Sequence, residues 1–272
     1  MAVNWIPKCS TMVLEDILTR DSSVSAELNM DMKTSSLLSN ELFPLFLAPN
    51  YDKLTSKKIY LVRHGQTDFN LQGIVQGSGV DSSLNDTGRA QAAAFYQTYR
   101  HVKFDKIYTS KLRRTVESVR LFLDAGVPYE AKAGLNEISW GSKEGQKITP
   151  EEDAYYHWML QQWQEGNTSR RIEYGESPED VASRQKPVID HILSQPQEQT
   201  ILICMHGRAL RILLCQFLHY PLRSMDLFEH ENLGLYLLNF TGTMFSIVKH
   251  NDTSHLAKLR ELLPKHSLLP SR

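Results

Sequence analysis

Residues 58–70 read KIYLVRHGQTDFN, an apolar run, Ile59-Tyr60-Leu61-Val62, that stops at Arg63-His64-Gly65. Unbroken apolar residues of this kind belong to a strand buried on both faces, as strands of parallel sheets are. Burial alone gives no reason for such a strand to end in arginine and histidine. The reading therefore turns on whether the rest of the chain supplies partners for these groups.

Further runs of strand character follow: FDKIYTS at 104–110, TILICMH at 200–206, LGLYLLNF at 233–240 and MFSIVKH at 244–250. PYEAKAGLNEI, at 128–138, is a weaker sixth. Helical patterns lie between them. LNDTGRAQAAAFYQTYR offers Asp86 or Thr87 as its N-cap. KLRRTVESVRLFLDAG places Leu112, Val116, Val119 and Leu123 on one face and ends at Gly126. TPEEDAYYHWMLQQWQ and SPEDVASRQKPVIDHIL add two more helices, and RALRILLCQFLHY, directly after a strand, is apolar enough to be buried. Strands alternating with helices predict an α/β fold with a mostly parallel sheet of roughly six strands. FTGTM, at 240–244, reads as a hairpin at its edge. The alternation occupies residues 56–252. Residues 1–55, rich in Ser, Asn, Asp and Met without a settled period, read as a poorly ordered or loosely helical extension, and 253–272 as a helical tail.

Composition narrows the function classes. Of 272 residues, 41% are hydrophobic and 22% charged, and 30 Lys+Arg face 31 Asp+Glu. That balance points away from nucleic acid and from an anionic membrane as partners, so any attraction for a charged ligand is local. It does not set the oligomeric state. Three cysteines with no paired spacing, two of them in apolar surroundings, suggest reduced thiols. No secretory pattern opens the chain, and the apolar run LFPLFLAP is too short to span a bilayer. The expectation is a cytoplasmic protein.

In an open α/β sheet, ligands bind at the carboxyl ends of the strands. That rule gathers Arg63, His64 and Gly65, then Arg113 and Arg114 in the first turn of the next helix. It adds Glu137 after the weak strand, and His206, Gly207 and Arg208 at the end of TILICM. Singly, each is an ordinary surface or core residue. Together they are unusual, because two strand–His–Gly–helix junctions occur in one chain. Guanidinium forks bind phosphate oxygens, and backbone N–H groups at a helix start hold anions. A neutral imidazole attacks phosphorus well, and a carboxyl group whose site raises its pKa can protonate the leaving oxygen. A metal hydrolase fits less well: the histidines lack i, i+4 spacing and the arginines would repel a cation.

LVRHGQTDFN resembles the signature of the histidine phosphatase superfamily, the phosphoglycerate-mutase-like fold, with Asn70 in the signature's asparagine position. The similarity continues through Gln76-Gly77, SLNDTGRAQA, SKLRRTVES, LNEISWGSKEG, Gly175-Glu176-Ser177 and ILICMHGRALRIL, over roughly residues 57–250. It implies a three-layer α/β/α catalytic domain. In it His64 would be the phosphorylated nucleophile, with Arg63, Arg114 and His206 clamping the phosphoryl group and Glu137 as proton donor. Asn70, Gln76, Gly77, Gly207 and Arg208 fall to substrate binding. Arg208 stands where the family commonly has a smaller residue, and would reach a second anionic group of the substrate or pair with Glu176 or the helix surface. Ser83 replaces the family's usual proline, a matter of loop stiffness.

Family mutases carry a longer insertion between the acidic residue and GES than the stretch from Glu137 to Gly175 here, which favours a phosphatase. The resemblance implies a phosphomonoesterase acting on small phosphorylated metabolites without cofactor or metal. The alternatives are a phosphoglycerate-type mutase and a non-catalytic phospho-ligand binder, the last disfavoured because a binder needs no proton donor. Trp158 and Trp163, at helical spacing, read as packing residues. Arg170-Arg171 reads as a solvated loop, or as a site for a carboxylate or second phosphate.

Overall fold

The computed structural model of the protein describes residues 55–262. The expected extension over 1–55 therefore lies outside the described residues except for residue 55. Of the expected tail, a 3-10 turn at Ser254–Leu256 and helix α7 at Ala257–Leu262 are described.

Six strands form one sheet: β1 (Lys57–Arg63), β2 (Lys106–Thr109), β3 (Tyr129–Ala131), β4 (Thr200–Met205), β5 (Leu235–Phe240) and β6 (Phe245–Asp252). They lie in the order β3-β2-β4-β1-β5-β6. The first four are parallel, while β5 runs antiparallel to β1 and β6 to β5, as the hairpin reading required. The helices are α1 (Asp68–Gln72), α2 (Asp86–Tyr99), α3 (Arg113–Asp124), α4 (Pro150–Gln164), α5 (Pro178–Leu193) and α6 (Gly207–Phe217).

β1 is central, and its pleat splits its side chains between two cores. Ile59 and Leu61 join Trp163 of α4, Val181 of α5 and Leu210 and Leu213 of α6. Tyr60 and Val62 join Phe95 and Tyr99 of α2 and Val119 and Phe122 of α3. Helices thus cover both faces, giving the three layers expected. With four consecutive side chains at most 6% exposed, β1 reads apolar without alternation because neither of its faces meets water.

Register positions the chemistry. β1 and β4 pair in parallel with Arg63 opposite Met205, so the two His-Gly junctions fall side by side, and the His64 N–H donates to the Met205 carbonyl at 2.9 Å.

Local expectations needed three adjustments. α2 is capped by Asn85, not by Asp86 or Thr87; the Asn85 side chain accepts from the Gly88 N–H. The buried residues of α3 are Arg114, Thr115, Ser118, Val119 and Phe122, because the helix turns a polar edge toward the sheet ends instead of the purely apolar stripe. β3 ends at Ala131 and a 3-10 turn follows at Ala133–Leu135, so Glu137 sits on a loop beyond the strand end.

Candidate active site

His64 is 3% exposed and its Nδ1 lies 2.7 Å from the Gly65 carbonyl oxygen. A carbonyl only accepts, so Nδ1 carries the proton and Nε2 keeps its lone pair. Burial, then the charges of Arg114 and Arg63, push the His64 imidazole well below its ordinary pKa. The ring is held neutral, the state a nucleophile needs.

Arg63, the last residue of β1, is buried and directs Nη1 to Nδ1 of His230 at 2.9 Å. Arg114, in the first turn of α3, is fully buried; Nε donates to His206 Nδ1 at 3.2 Å, Nη1 to the Val80 carbonyl at 2.6 Å and Nη2 to the Gly77 carbonyl at 3.2 Å. Burial pushes both arginines down to about 10, against the pull of Glu137, and both stay charged at neutral pH. His206 accepts from Arg114 at Nδ1, so its Nε2 donates to Ser110 Oγ at 2.8 Å. Burial and the Arg114 charge keep it neutral as well, and the His64 and His206 rings sit 5.2 Å apart, edge to face.

Glu137 reaches the same place from its loop. His206, the N-cap of α6, provides no side-chain cap. The carboxylate of Glu137 takes that role, accepting from the N–H groups of Arg208 at 3.2 Å, Ala209 at 2.9 Å and its neighbour Ile138 at 2.9 Å. The loop itself is stapled by Arg184 of α5, which donates to the carbonyls of Gly134, Asn136 and Glu137, each at 2.9 Å, and pairs with Glu176.

The remaining expected residues divide. Arg63, His64, Asn70, Gln76, Glu137, Gly207 and Arg208 line one cleft, while Arg114 and His206 are not among its lining residues. Asn70 closes a capping box with Thr67 at the start of α1, and its Oδ1 lies 3.4 Å from Asn232 Nδ2. Gln76 donates to Thr67 Oγ1 at 2.7 Å. Gly77 does not line the cleft; its carbonyl holds Arg114, and a Cβ there would meet the Glu144 carboxylate at 2.0 Å. Arg208 pairs with Asp226 at 2.5 Å and donates to Tyr156 Oη at 3.0 Å, so its partner is not Glu176. Burial opposes its charge, but Tyr156 and Asp226 outweigh that and raise its pKa. Arg171 pairs with Asp180 at 3.3 Å and Arg170 lies over the Trp158 ring at 5.1 Å. Trp163 is wholly buried, as packing required, whereas Trp158 is 41% exposed.

Several participants carried no signal in the sequence. His230, in the loop before β5, accepts from Arg63; its ring fills the space over Gly207, where a Cβ would come within 2.8 Å. Burial and the Arg63 charge keep it neutral. Asn232 donates to the His64 carbonyl at 2.9 Å, and Ser110 supports His206. Among the described residues no group of three His, Cys, Asp or Glu is placed to hold a metal ion. No helix among them is long and apolar enough to cross a membrane.

Residues 59–253 match the family model of the histidine phosphatase superfamily (branch 1). A Yersinia pestis protein named probable phosphoglycerate mutase GpmB is 30% identical over 208 residues, covering 73% of this chain and 94% of that one. Two solved structures are similar. The α-ribazole phosphatase of Shigella flexneri has 26% identity and a TM-score of 0.64, covering 72% of this chain and 96% of its own. Mycobacterial glucosyl-3-phosphoglycerate phosphatase, in complex with VO3, has 25% identity and a TM-score of 0.64, covering 72% and 100%.

Proposed function

The chain belongs to the histidine phosphatase superfamily and is a phosphatase, and on that premise we propose that it hydrolyses small phosphate monoesters through a phosphohistidine at His64. The observation that carries the assignment of roles is the pinned Nδ1–H of His64, which leaves the Nε2 lone pair free beside buried guanidiniums. In the first step Nε2 attacks phosphorus, the ester P–O bond breaks, and Glu137 gives its proton to the leaving oxygen. In the second, water attacks phosphorus, its proton passes to Glu137, the P–N bond breaks and inorganic phosphate departs. The Arg63 and Arg114 guanidiniums are assigned to the phosphoryl oxygens, where negative charge is concentrated, and His206, whose one N–H is taken by Ser110, braces Arg114 through Nδ1. Asn70 and Gln76 close the near wall.

Hydrolysis of p-nitrophenyl phosphate by wild type and by His64→Ala tests this reading. Release by wild type, its loss in the variant and an acid-labile, base-stable label trapped by rapid quench are expected. Equal rates, or no label in a turning-over enzyme, would overturn it.

The named relative gives the mutase reading its footing. Against it stands the short segment from Glu137 to Gly175, which contains α4 and one polar loop. A mutase would require a bisphosphate primer and would transfer more phosphoryl groups to acceptor than to water. The two buried thiols among the described residues, Cys204 and Cys215, are free, which supports placing the reaction in a reducing cytoplasm.

A further inference from the structure

The cleft has room beyond a phosphoryl group, with a cavity volume of about 120 Å³. Beyond the residues around His64 its walls are Ile74, Val75, Trp140, Ile148, Tyr155 and Ile172. Two cations also lie on those walls, and both are already engaged. Lys143 Nζ donates to Glu152 Oε1 at 2.9 Å and lies 5.4 Å from the Tyr155 ring centroid. Arg208 spends its terminal nitrogens on Asp226 and Tyr156. An alcohol bearing a second anion would find an apolar wall, the Glu152 carboxylate and no open guanidinium fork among the described lining residues.

Building on the phosphatase reading, we propose that the protein prefers phosphate monoesters of neutral, largely apolar alcohols about the size of one or two rings. Esters carrying a carboxylate or second phosphate are disfavoured, and the Lys143–Glu152 pair sets this discrimination. Apolar side chains bind the leaving group by removing its surface from water. Glu152 acts as the repulsive element: it occupies the one lysine that would otherwise meet an anion, and it repels that anion by like charge. The pair's side chains are 30% and 28% exposed, so the discrimination is modest in energy and still readable in kinetics.

The test compares 2-phenylethyl phosphate, glycerol 3-phosphate and 3-phosphoglycerate. All three are alkyl esters, which keeps leaving-group chemistry similar. Each is measured by phosphate release and as a competitive inhibitor of p-nitrophenyl phosphate hydrolysis. The expected order of kcat/KM and of tightness is phenylethyl, then glycerol, then phosphoglycerate, with about tenfold or more between first and last. Glu152→Gln is expected to raise phosphoglycerate relative to the phenylethyl ester by roughly three- to tenfold. Phosphoglycerate equal to or better than the phenylethyl ester in wild type overturns the preference while leaving the phosphatase intact. A ratio unmoved or lowered by Glu152→Gln removes the pair from its role. No release from any ester, p-nitrophenyl phosphate included, sinks the phosphatase reading itself.

Discussion

Glu137 arrives at the site on a loop, and Arg184 is what fixes that loop; replacing Arg184 by methionine separates the two. The guanidinium donates to three carbonyls of the Gly134–Glu137 segment and to both oxygens of Glu176. Hydrogen bonds from a charged donor contribute about 1.5–3 kcal/mol each. The Arg184 side chain is 23% exposed, so water recovers part of that loss, and methionine keeps most of the packing. The net destabilisation expected is about 2–4 kcal/mol, read as a lowered urea midpoint at unchanged slope.

The kinetic effect of the same change is sharper. General acid–base catalysis contributes about 10²–10⁴-fold, and a shifted carboxyl loses part of it. Hydrolysis of 2-phenylethyl phosphate, whose leaving alkoxide needs a proton, should fall about ten- to a hundredfold in kcat/KM. Hydrolysis of p-nitrophenyl phosphate, whose leaving group departs well unprotonated, should fall less than about threefold. An equal fall for both esters would mean that Arg184 supports the fold in general and not the proton donor; no fall for either would mean that the N–H groups of α6 hold Glu137 without Arg184. Should Arg184→Met not fold, Glu176→Gln, which weakens the same staple, is read by the same ratio of esters.

Two further outcomes follow from the packing and the charges. His64, His206 and His230 are each held well below the ordinary imidazole pKa, first by burial and then by arginines. Below about pH 6.5 the unfolded chain therefore binds more protons than the folded one, and stability must fall as pH drops. The limiting slope is about 1.4 kcal/mol per pH unit for each histidine. Urea midpoints at pH 7.5, 6.5 and 5.5 measure this, and a flat or rising trend toward pH 5.5 contradicts the neutral assignment. Gly65→Ala places a Cβ 2.8 Å from the Gly88 carbonyl oxygen, backbone against backbone, and should cost about 1–3 kcal/mol. A variant as stable as wild type in thermal unfolding would show that α2 can retreat.

The sequence carried those parts of the molecule that local rules determine. The unbroken apolar run of β1, the two His-Gly junctions and the hairpin before β6 are local in sequence, and each came out as read. What long-range packing decides was not legible. Gly65 reads only as part of a His-Gly junction, yet the space over it belongs to the backbone of Gly88. Gly207 reads as a backbone donor for an anion, and its missing side chain makes room for His230. Glu137 reads as a strand-end residue, whereas its place is fixed by Arg184 and by an uncapped helix start seventy positions onward in the chain. No window of neighbouring residues contains such information. An uncapped helix is itself a signal that can be read: His206-Gly207 offers no side-chain acceptor, so a carboxylate from elsewhere was to be expected there.

Burial first, and the charges of the site second, keep its histidines neutral. Arg63, Arg114, Arg208 and Arg211 gather around the site, Arg63 and Arg114 facing Glu137, and Asp226 bonded to both Arg208 and Arg211. Three imidazoles within this field could relieve nothing by protonating, since each added proton would be repelled by the guanidiniums that surround it. Burial first, and this charge second, keep the His64 Nε2 lone pair available at neutral pH. The same charge also disfavours protonation of the folded state in acid. On the proposed mechanism, a nucleophile kept ready in this way and a fold weakened below about pH 6.5 are two consequences of one arrangement. A substitution such as Arg63→Met, which removes part of that field, should raise the pKa of His64 toward its ordinary value while weakening phosphate binding, so that the two effects move together.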